Sequence, residues 1–402
     1  MKENKTKISS AAVLLLLATI VGVGFYYRLV HACDIKYTDL HLGTEFGHDE
    51  YNYLQMAINI VEKGVYGYLS EAPNAYVTPA YPLFIALCFK IFGGSSPEVI
   101  FYIKIIQAAL SAVSIILVFM IGKKLRGNCA GLIAAAFTAL YPPLMLYSRY
   151  ILTETLYIFL FLIYLLLQIT ALEKKHAAWH YISGIFMAAA VLTRPLIFVL
   201  IPLPYIYMQL IEKPQLSYTI SRFAVFTVGV VTLMLPWWVR NFVEFGKFIP
   251  LCTQSNPFYY GIMENPNTLP PTTNETADGI KLILHSLRTK PLETLAWYTI
   301  GKINIIFETQ DYWLQNNASP TSSFILLHNV ITVCGTVGAA MSIFVKKLRL
   351  VSLFIFFIML FQLLFIPVPR YAVPLIPLLS ICGAYMLCYV FNQSKTEKEQ
   401  NF

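Results

Sequence analysis

The sequence predicts an all-α polytopic membrane protein with about ten transmembrane helices and amphipathic surface helices in its first outer loop. Three observations lead there. Of the 402 residues, 57% are hydrophobic and only 12% charged, with a mean hydropathy of +0.63, whereas a soluble domain carries about 25% charged residues. Apolar runs near the length needed to cross the hydrocarbon core recur along the chain. Basic residues sit in short clusters between those runs, as they do in multi-span proteins. A soluble enzyme, a disordered chain and a disulfide scaffold are disfavoured together. The formal charge of +8 forms no single patch, so no nucleic-acid partner is expected. Seven cysteines are scattered without a CxxC pair, which indicates neither a disulfide framework nor a zinc site.

Ten runs read as spans: 9–30, 98–121, 129–147, 154–172, 178–193, 195–211, 223–239, 323–345, 350–367 and 371–391. The fifth and sixth are short and meet at Arg194-Pro195. Proline suits a helix start, where its missing N–H has no intrahelical partner to lose. Orientation follows from the short connectors. Lys2, Lys5, Lys7, Lys123, Lys124, Arg126, Lys174, Lys175, Lys213, Arg222, Lys346, Lys347, Arg349, Lys395 and Lys398 fall on one side, 15 of the 29 basic residues. The long segments 31–97 and 241–322 fall on the other, each with more carboxylates than basic residues. Both termini are therefore expected in the cytoplasm and both long loops outside. The first run also has the basic tail and apolar stretch of a signal peptide, with Val30-His31-Ala32-Cys33 as a weak lipoprotein-like box. Cleavage there would leave nine spans and break the charge alternation. The expected organisation is one transmembrane domain over 1–391 and a polar cytoplasmic tail over 392–402.

Within the first outer segment, Tyr53, Met56, Ala57, Ile60 and Val61 recur at the spacing of an amphipathic helix from Asp49 to Val61, ended by Gly64. A proline–tyrosine stretch, Val77 to Pro82, precedes an apolar run from Leu83 to Phe92 that is too short to span. His48, Asp49 and Glu50 open the first helix. Carboxylates there serve as helix caps; the sharper reading is a general base at the membrane border.

Four arginines fall at outer ends of spans, against the positive-inside bias. They are Arg149 in Tyr147-Ser148-Arg149-Tyr150, Arg194 in Thr193-Arg194-Pro195, Arg240 after Pro236-Trp237-Trp238, and Arg370 in Pro369-Arg370-Tyr371. Each alone reads as a snorkelling interface residue, and the tryptophans beside Arg240 support that for Arg240. Four on one side suggest a bound anion, since the guanidinium fork matches phosphate oxygens. An anion at the membrane border above an apolar groove points to a lipid phosphate. Glu154, opening the fourth span, is either an N-terminal carboxylate paired with Arg149 or a second acidic group facing a cavity with Asp49 and Glu50.

In this order, the motifs resemble those of the GT-C glycosyltransferases that use polyprenyl-phosphate sugars, with the protein O-mannosyltransferases and the aminoarabinose transferases of lipid A as the nearest relatives. Asp49-Glu50-Tyr51-Asn52-Tyr53 with Ala57 and Gly64 matches the acidic motif of the first outer loop. Thr78-Pro79-Ala80-Tyr81-Pro82 through Phe92-Gly93 matches the proline–tyrosine segment. Tyr147-Ser148 through Thr153-Glu154, Thr193-Arg194-Pro195, Pro236-Trp237 through Arg240-Asn241, and Arg370-Tyr371 with Pro374 complete the series, over about 25–380. The lysine that precedes the paired prolines in the aminoarabinose branch is replaced by Thr78, and the second proline by Ala80.

The resemblance implies that the whole of 1–391 is one catalytic domain that moves a sugar from a polyprenyl-phosphate donor to a lipid, glycan or protein acceptor on the outer face, with inversion. Asp49 is then the first choice for base, with Glu50 as runner-up or orienting partner and Glu154 as a second acidic group. Arg370 is the first choice for the donor phosphate, followed by Arg194, Arg240 and Arg149. Tyr53, Tyr81 and Tyr371 are candidates for the sugar pocket, with simple packing as the alternative. No cofactor is expected. His48, Asp49 and Glu50, with His41 nearby, leave a divalent metal open, although adjacent ligands seldom converge on one ion. No glycine-rich phosphate loop supports a nucleotide sugar.

In the second outer segment, 279–310 predicts one or two helices that cap the cavity; Asn274-Glu275-Thr276 and Asn317-Ala318-Ser319 are sequons of use only in a eukaryotic lumen. The competing function is a transporter or lipid flippase, which predicts polar residues at span midpoints and an internal repeat. The charges lie at the outer border, and no repeat is evident. A bacterial plasma membrane is the default location.

Overall fold

A computed structural model describes residues 9–33, 45–174, 176–309 and 321–400, with the backbone alone over 45–48 and 392–400. The side chains of His48, Lys395 and Lys398 lie outside the described residues, as do His41, Lys2, Lys5, Lys7, Lys175 and Asn317-Ala318-Ser319. Among the described residues every regular element is helical.

Seven helices among the described residues are long and apolar enough to cross a membrane: Ser10–Ala32, Pro97–Arg126, Thr153–Lys174, Pro195–Glu212, Leu216–Phe245, Ser322–Ile343 and Pro369–Phe391. The chain is a multi-pass integral membrane protein. All ten expected runs are helical, but three fall short of that length. The run 129–147 divides into Asn128–Leu140 and Pro142–Leu146, because Pro142 and Pro143 cannot continue an i→i−4 ladder. The run 178–193 is the 17-residue helix Ala177–Thr193, stopped at Pro195. The run 350–367 is Arg349–Gln362, followed by an irregular stretch with Pro367 and Pro369. Pro195–Glu212 is itself a 3-10 turn, a short α-helix and a π turn in series, with Pro202 and Pro204 at the junction. A window of hydropathy registers the apolar content of these runs and not their breaks.

Consecutive helices pack side by side. Thr153–Lys174 lies against Ala177–Thr193, which lies against Leu216–Phe245; Ser322–Ala340 packs on the last helix, and that helix on Asn128–Leu140. Small residues permit the closest approaches, as is usual where lipid gives no hydrophobic drive for helix association. A Cβ on Gly184 would stand 2.1 Å from the carbonyl oxygen of Phe226, and one on Gly229 would stand 2.1 Å from that of Tyr181. Both obstacles are backbone, so the helices themselves must part. Gly184→Ala is expected to lower stability by about 1–3 kcal/mol, read as a lower midpoint of thermal unfolding in detergent. An unchanged midpoint would contradict the packing.

Arg28 fastens the first helix. Its side chain is fully buried, and its fork donates to Ser111 Oγ (2.7 Å) and to the carbonyls of Gly24 (2.9 Å), Ala139 (3.1 Å) and Thr138 (3.2 Å). A charge at this depth persists only when its donors are met.

The segment 45–92 forms a second small core. Helices Glu45–Glu62 and Ala80–Phe92 pack together, and Leu54, Ala57, Tyr81, Ile85 and Phe89 bury against Val99, Ile103, Ile151 and Leu156. The first helix begins at Glu45, four residues before the Asp49 at which the apolar spacing starts. The second is 13 residues and ends at Gly93, whose φ of 88° is a left-handed cap that glycine takes without strain. This packing sets Asp49 over the ends of the helices beneath.

Candidate functional site

Glu154 opens helix Thr153–Lys174, Arg194 closes Ala177–Thr193, and these two helices run antiparallel side by side. Their charged ends therefore lie at one end of the bundle. The 3-10 turn Pro369–Tyr371 brings Arg370 to the same place, and the helix Glu45–Glu62 brings Asp49.

The four charges form one cluster. Arg370 Nη1 donates to Asp49 Oδ2 at 2.9 Å, across 321 positions of sequence. Arg370 Nε lies 3.2 Å from Glu154 Oε1, and Arg194 Nη1 donates to the same oxygen at 3.3 Å. The guanidinium of Arg194 rests over the rings of Tyr371 (5.3 Å) and Tyr157 (5.9 Å). Exposure is graded. The Glu154 side chain is 0% exposed, Arg370 10%, Arg194 17% and Asp49 31%. Glu154 is thus a sealed counter-ion shared by both arginines, and Asp49 is the more accessible carboxylate of the cluster.

Asp49 has a further support. The hydroxyl of Tyr68 donates to its Oδ1 at 3.2 Å, and Asn52 Nδ2 donates to that hydroxyl at 3.4 Å. Burial, and next the Asp49 carboxylate, hold the Tyr68 hydroxyl above its ordinary pKa, so it stays a donor. Tyr53 packs edge-on to Tyr68 and Tyr81 beside this group.

The remaining expected site residues stand elsewhere. Glu50, although adjacent to Asp49, points the other way: its Oε1 accepts the Ile151 N–H at 2.6 Å inside the small core. Burial pushes its carboxyl above the usual range, opposed by the Ile151 N–H, Lys104 and Arg149. The two neighbouring carboxylates diverge, so they do not chelate one ion, and among the described residues no three His, Cys, Asp or Glu converge as metal ligands. Arg149 lies beside Glu50, with its guanidinium over the Tyr150 ring at 5.3 Å; it does not pair with Glu154. Arg240 donates to Asn74 O (2.9 Å), Tyr66 O (3.1 Å) and Asn241 Oδ1 (3.0 Å) between the rings of Tyr66, Trp237 and Phe245. It fastens the loop 66–74 to helix Leu216–Phe245. Tyr81 is fully buried and its hydroxyl donates to Gln107 Oε1 at 2.9 Å, a core contact. Tyr371 lines the cluster through Arg194.

Tyr68 and Tyr157 carry weight that sequence reading missed. Tyr157 has a signal, since it lies one turn after Glu154 on the same helix face. Tyr68 has none: it sits in an irregular stretch, and only the tertiary fold turns its hydroxyl to Asp49.

The class that this fold and cluster define is a helical membrane protein with a mixed arginine–carboxylate centre at one end of its bundle. Residues 76–239 match the family described as dolichyl-phosphate-mannose-protein mannosyltransferase. The oligosaccharyltransferase of Archaeoglobus fulgidus in its apo form superposes with a TM-score of 0.63 at 13% identity, over 98% of this chain and 52% of that one. The same organism's AglB in complex with an inhibitory peptide and a dolichol-phosphate gives 0.63 at 14% identity, over 96% and 51%. ArnT from Cupriavidus metallidurans bound to undecaprenyl phosphate gives 0.53 at 14% identity, over 94% and 60%. The chain therefore spans about half the length of the oligosaccharyltransferases. No curated protein matches by sequence. The chain thus shares the fold of these structures, and the family model that matches 76–239 agrees with the resemblance read from its motifs.

Proposed function

We propose that the chain is a membrane glycosyltransferase that moves a sugar from a polyprenyl-phosphate donor to an acceptor at the end of the bundle holding Asp49, with inversion. The observation that carries this is the bridge Asp49–Arg370–Glu154: a half-buried, accessible carboxylate beside a guanidinium that a sealed carboxylate holds in place. The bound dolichol-phosphate and undecaprenyl phosphate of the similar structures support the donor class. Arg370 and Arg194 contact the donor phosphate. The acceptor hydroxyl approaches the anomeric carbon from the opposite face, and Asp49 takes its proton. The bond from the anomeric carbon to the phosphate oxygen breaks, its electron pair goes to the phosphate, and the arginines stabilise the charge that gathers there. The products are the glycosylated acceptor and the polyprenyl phosphate. Glu154 keeps both guanidiniums in register. The site faces the periplasm or lumen of a bacterial-type membrane, with both chain termini in the cytoplasm.

The test is transfer from a radiolabelled polyprenyl-phosphate sugar by purified protein. Asp49→Asn is expected to lower kcat by about 10²–10⁴-fold with donor affinity nearly unchanged. Glu50→Gln keeps an acceptor for the Ile151 N–H and is expected to stay within a few-fold of wild type. Full turnover by Asp49→Asn removes the base assignment; a loss in Glu50→Gln equal to that of Asp49→Asn transfers it to the pair.

A further inference from the structure

The stretch 256–306 forms an open hollow of about 200 Å³, lined by none of the residues of the Asp49–Arg370 cluster. Trp297 and Tyr298 stand on its wall with Glu264, Ser286, Lys290 and Glu293. Aromatic faces suit the C–H faces of a pyranose, and the hydroxyl, ammonium and carboxylates supply donors and acceptors for its hydroxyls. Lys290 is already paired with Glu293 at 3.0 Å, and Glu264 adds negative charge, so the wall does not favour an anion.

The aromatic wall is tied to the segment that leads into Arg370. Trp297 Nε1 donates to Gly261 O at 3.2 Å. The ring of Tyr298 lies 3.9 Å from the Lys302 ammonium. Lys302 is fully buried, no carboxylate pairs with it among the described residues, and it donates to Leu363 O (2.6 Å) and Phe365 O (3.0 Å). Ile366 N–H donates to Pro257 O at 2.7 Å, and a methyl on Gly261 would stand 2.4 Å from the Phe365 carbonyl carbon. The wall and residues 363–366 therefore form one packed unit, and the chain runs from it straight into the turn Pro369–Tyr371.

We propose that this hollow is a subsite for a saccharide carried by the acceptor, and that Lys302 couples it to the position of Arg370. The role given to the hollow in catalysis rests on the transferase reading of the Asp49–Arg370 cluster. Trp297 supplies the stacking face, and Lys302 is a positioning residue that touches neither sugar nor phosphate.

Two binding measurements on the full-length chain in detergent test this. Saturation-transfer NMR with methyl hexosides and methyl N-acetylhexosaminides reads the hollow, and calorimetry with undecaprenyl phosphate reads the Arg370 cluster. Wild type, Asp49→Asn and Trp297→Phe are expected to bind at least one glycoside, and Trp297→Ala to bind it about tenfold more weakly or not at all. Lys302→Met, measured well below its thermal midpoint, is expected to weaken undecaprenyl phosphate binding about tenfold and to lower that midpoint, since two buried carbonyls lose their donor, and Lys302→Arg to recover both. The subsite is overturned if wild type saturates no glycoside, if Trp297→Ala binds as Trp297→Phe does, or if a serine- and threonine-rich peptide displaces the bound glycoside. The coupling is overturned if Lys302→Met binds undecaprenyl phosphate as wild type does. A wild type that binds glycoside but no undecaprenyl phosphate overturns the transferase reading and the coupling together, and upholds the hollow as a saccharide site.

Discussion

Arg370→Ala is expected to lower transfer by about 10²–10³-fold, the usual effect of removing one fixed donor from a site where charge gathers. Arg370 is the one residue of the cluster that touches both carboxylates. Its loss removes the group assigned to the leaving phosphate and leaves Glu154, fully buried, with Arg194 as its one remaining ion-pair partner in the cluster. Breaking a buried pair by removing one partner destabilises by about 3–5 kcal/mol, so the variant should also unfold at lower temperature. The two effects separate in Arg370→Lys. An ammonium restores the charge beside Glu154 but cannot reach Asp49 and Glu154 with a planar fork. It is expected to recover most of the thermal midpoint and little of the transfer. Equal recovery of both would mean that Arg370 acts through stability alone. Wild-type donor binding by Arg370→Ala would remove it from the phosphate.

Glu154→Gln gives the second large effect, and its direction differs. The amide matches the carboxylate in shape and keeps an oxygen toward the two guanidiniums, but it no longer carries their shared counter-charge. Two arginines that now meet the same oxygen then repel each other, and Asp49 is left to compensate both. Donor affinity should hold or rise, because the phosphate meets less competition for the arginines. Turnover should fall by about 10–10²-fold, because the guanidiniums shift from the line of attack and small misplacements weigh heavily on rate. The pattern is thus a lower kcat with an equal or lower KM for donor. A higher donor KM with unchanged kcat would assign Glu154 to ground-state binding instead.

The legibility of this site differs residue by residue. Arg370, Arg194 and Glu154 stand out in the sequence because a charge bordering an apolar run is costly and rare. Arg149 and Arg240 send the same signal and end in other places. Arg240 satisfies three acceptors at a loop–helix seam, and Arg149 faces Glu50. Burial cost alone does not distinguish an arginine that binds a ligand from one that binds the protein's own carbonyls. Glu50 makes the same point at shorter range, since one step along the helix from Asp49 turns its side chain by about 100°, and that step decides between the cluster and the small core. Lys302 raises no signal, because it finds its acceptors in backbone that is distant in sequence; Arg28, inside the first apolar run, sends the same signal as Arg240 and likewise ends on the protein's own acceptors.

The sequence by itself determined the membrane class, the helical content and the border position of the key charges, since hydropathy and charge act over a window of neighbours and need no partner. The breaks within the runs 129–147 and 195–211 were local too, written in prolines. Tertiary structure alone decided which charges meet. Asp49 and Arg370 are joined only because the second core fixes one above the bundle and a 3-10 turn lifts the other to it, and a pairing across 321 positions is set by packing geometry that no local pattern encodes.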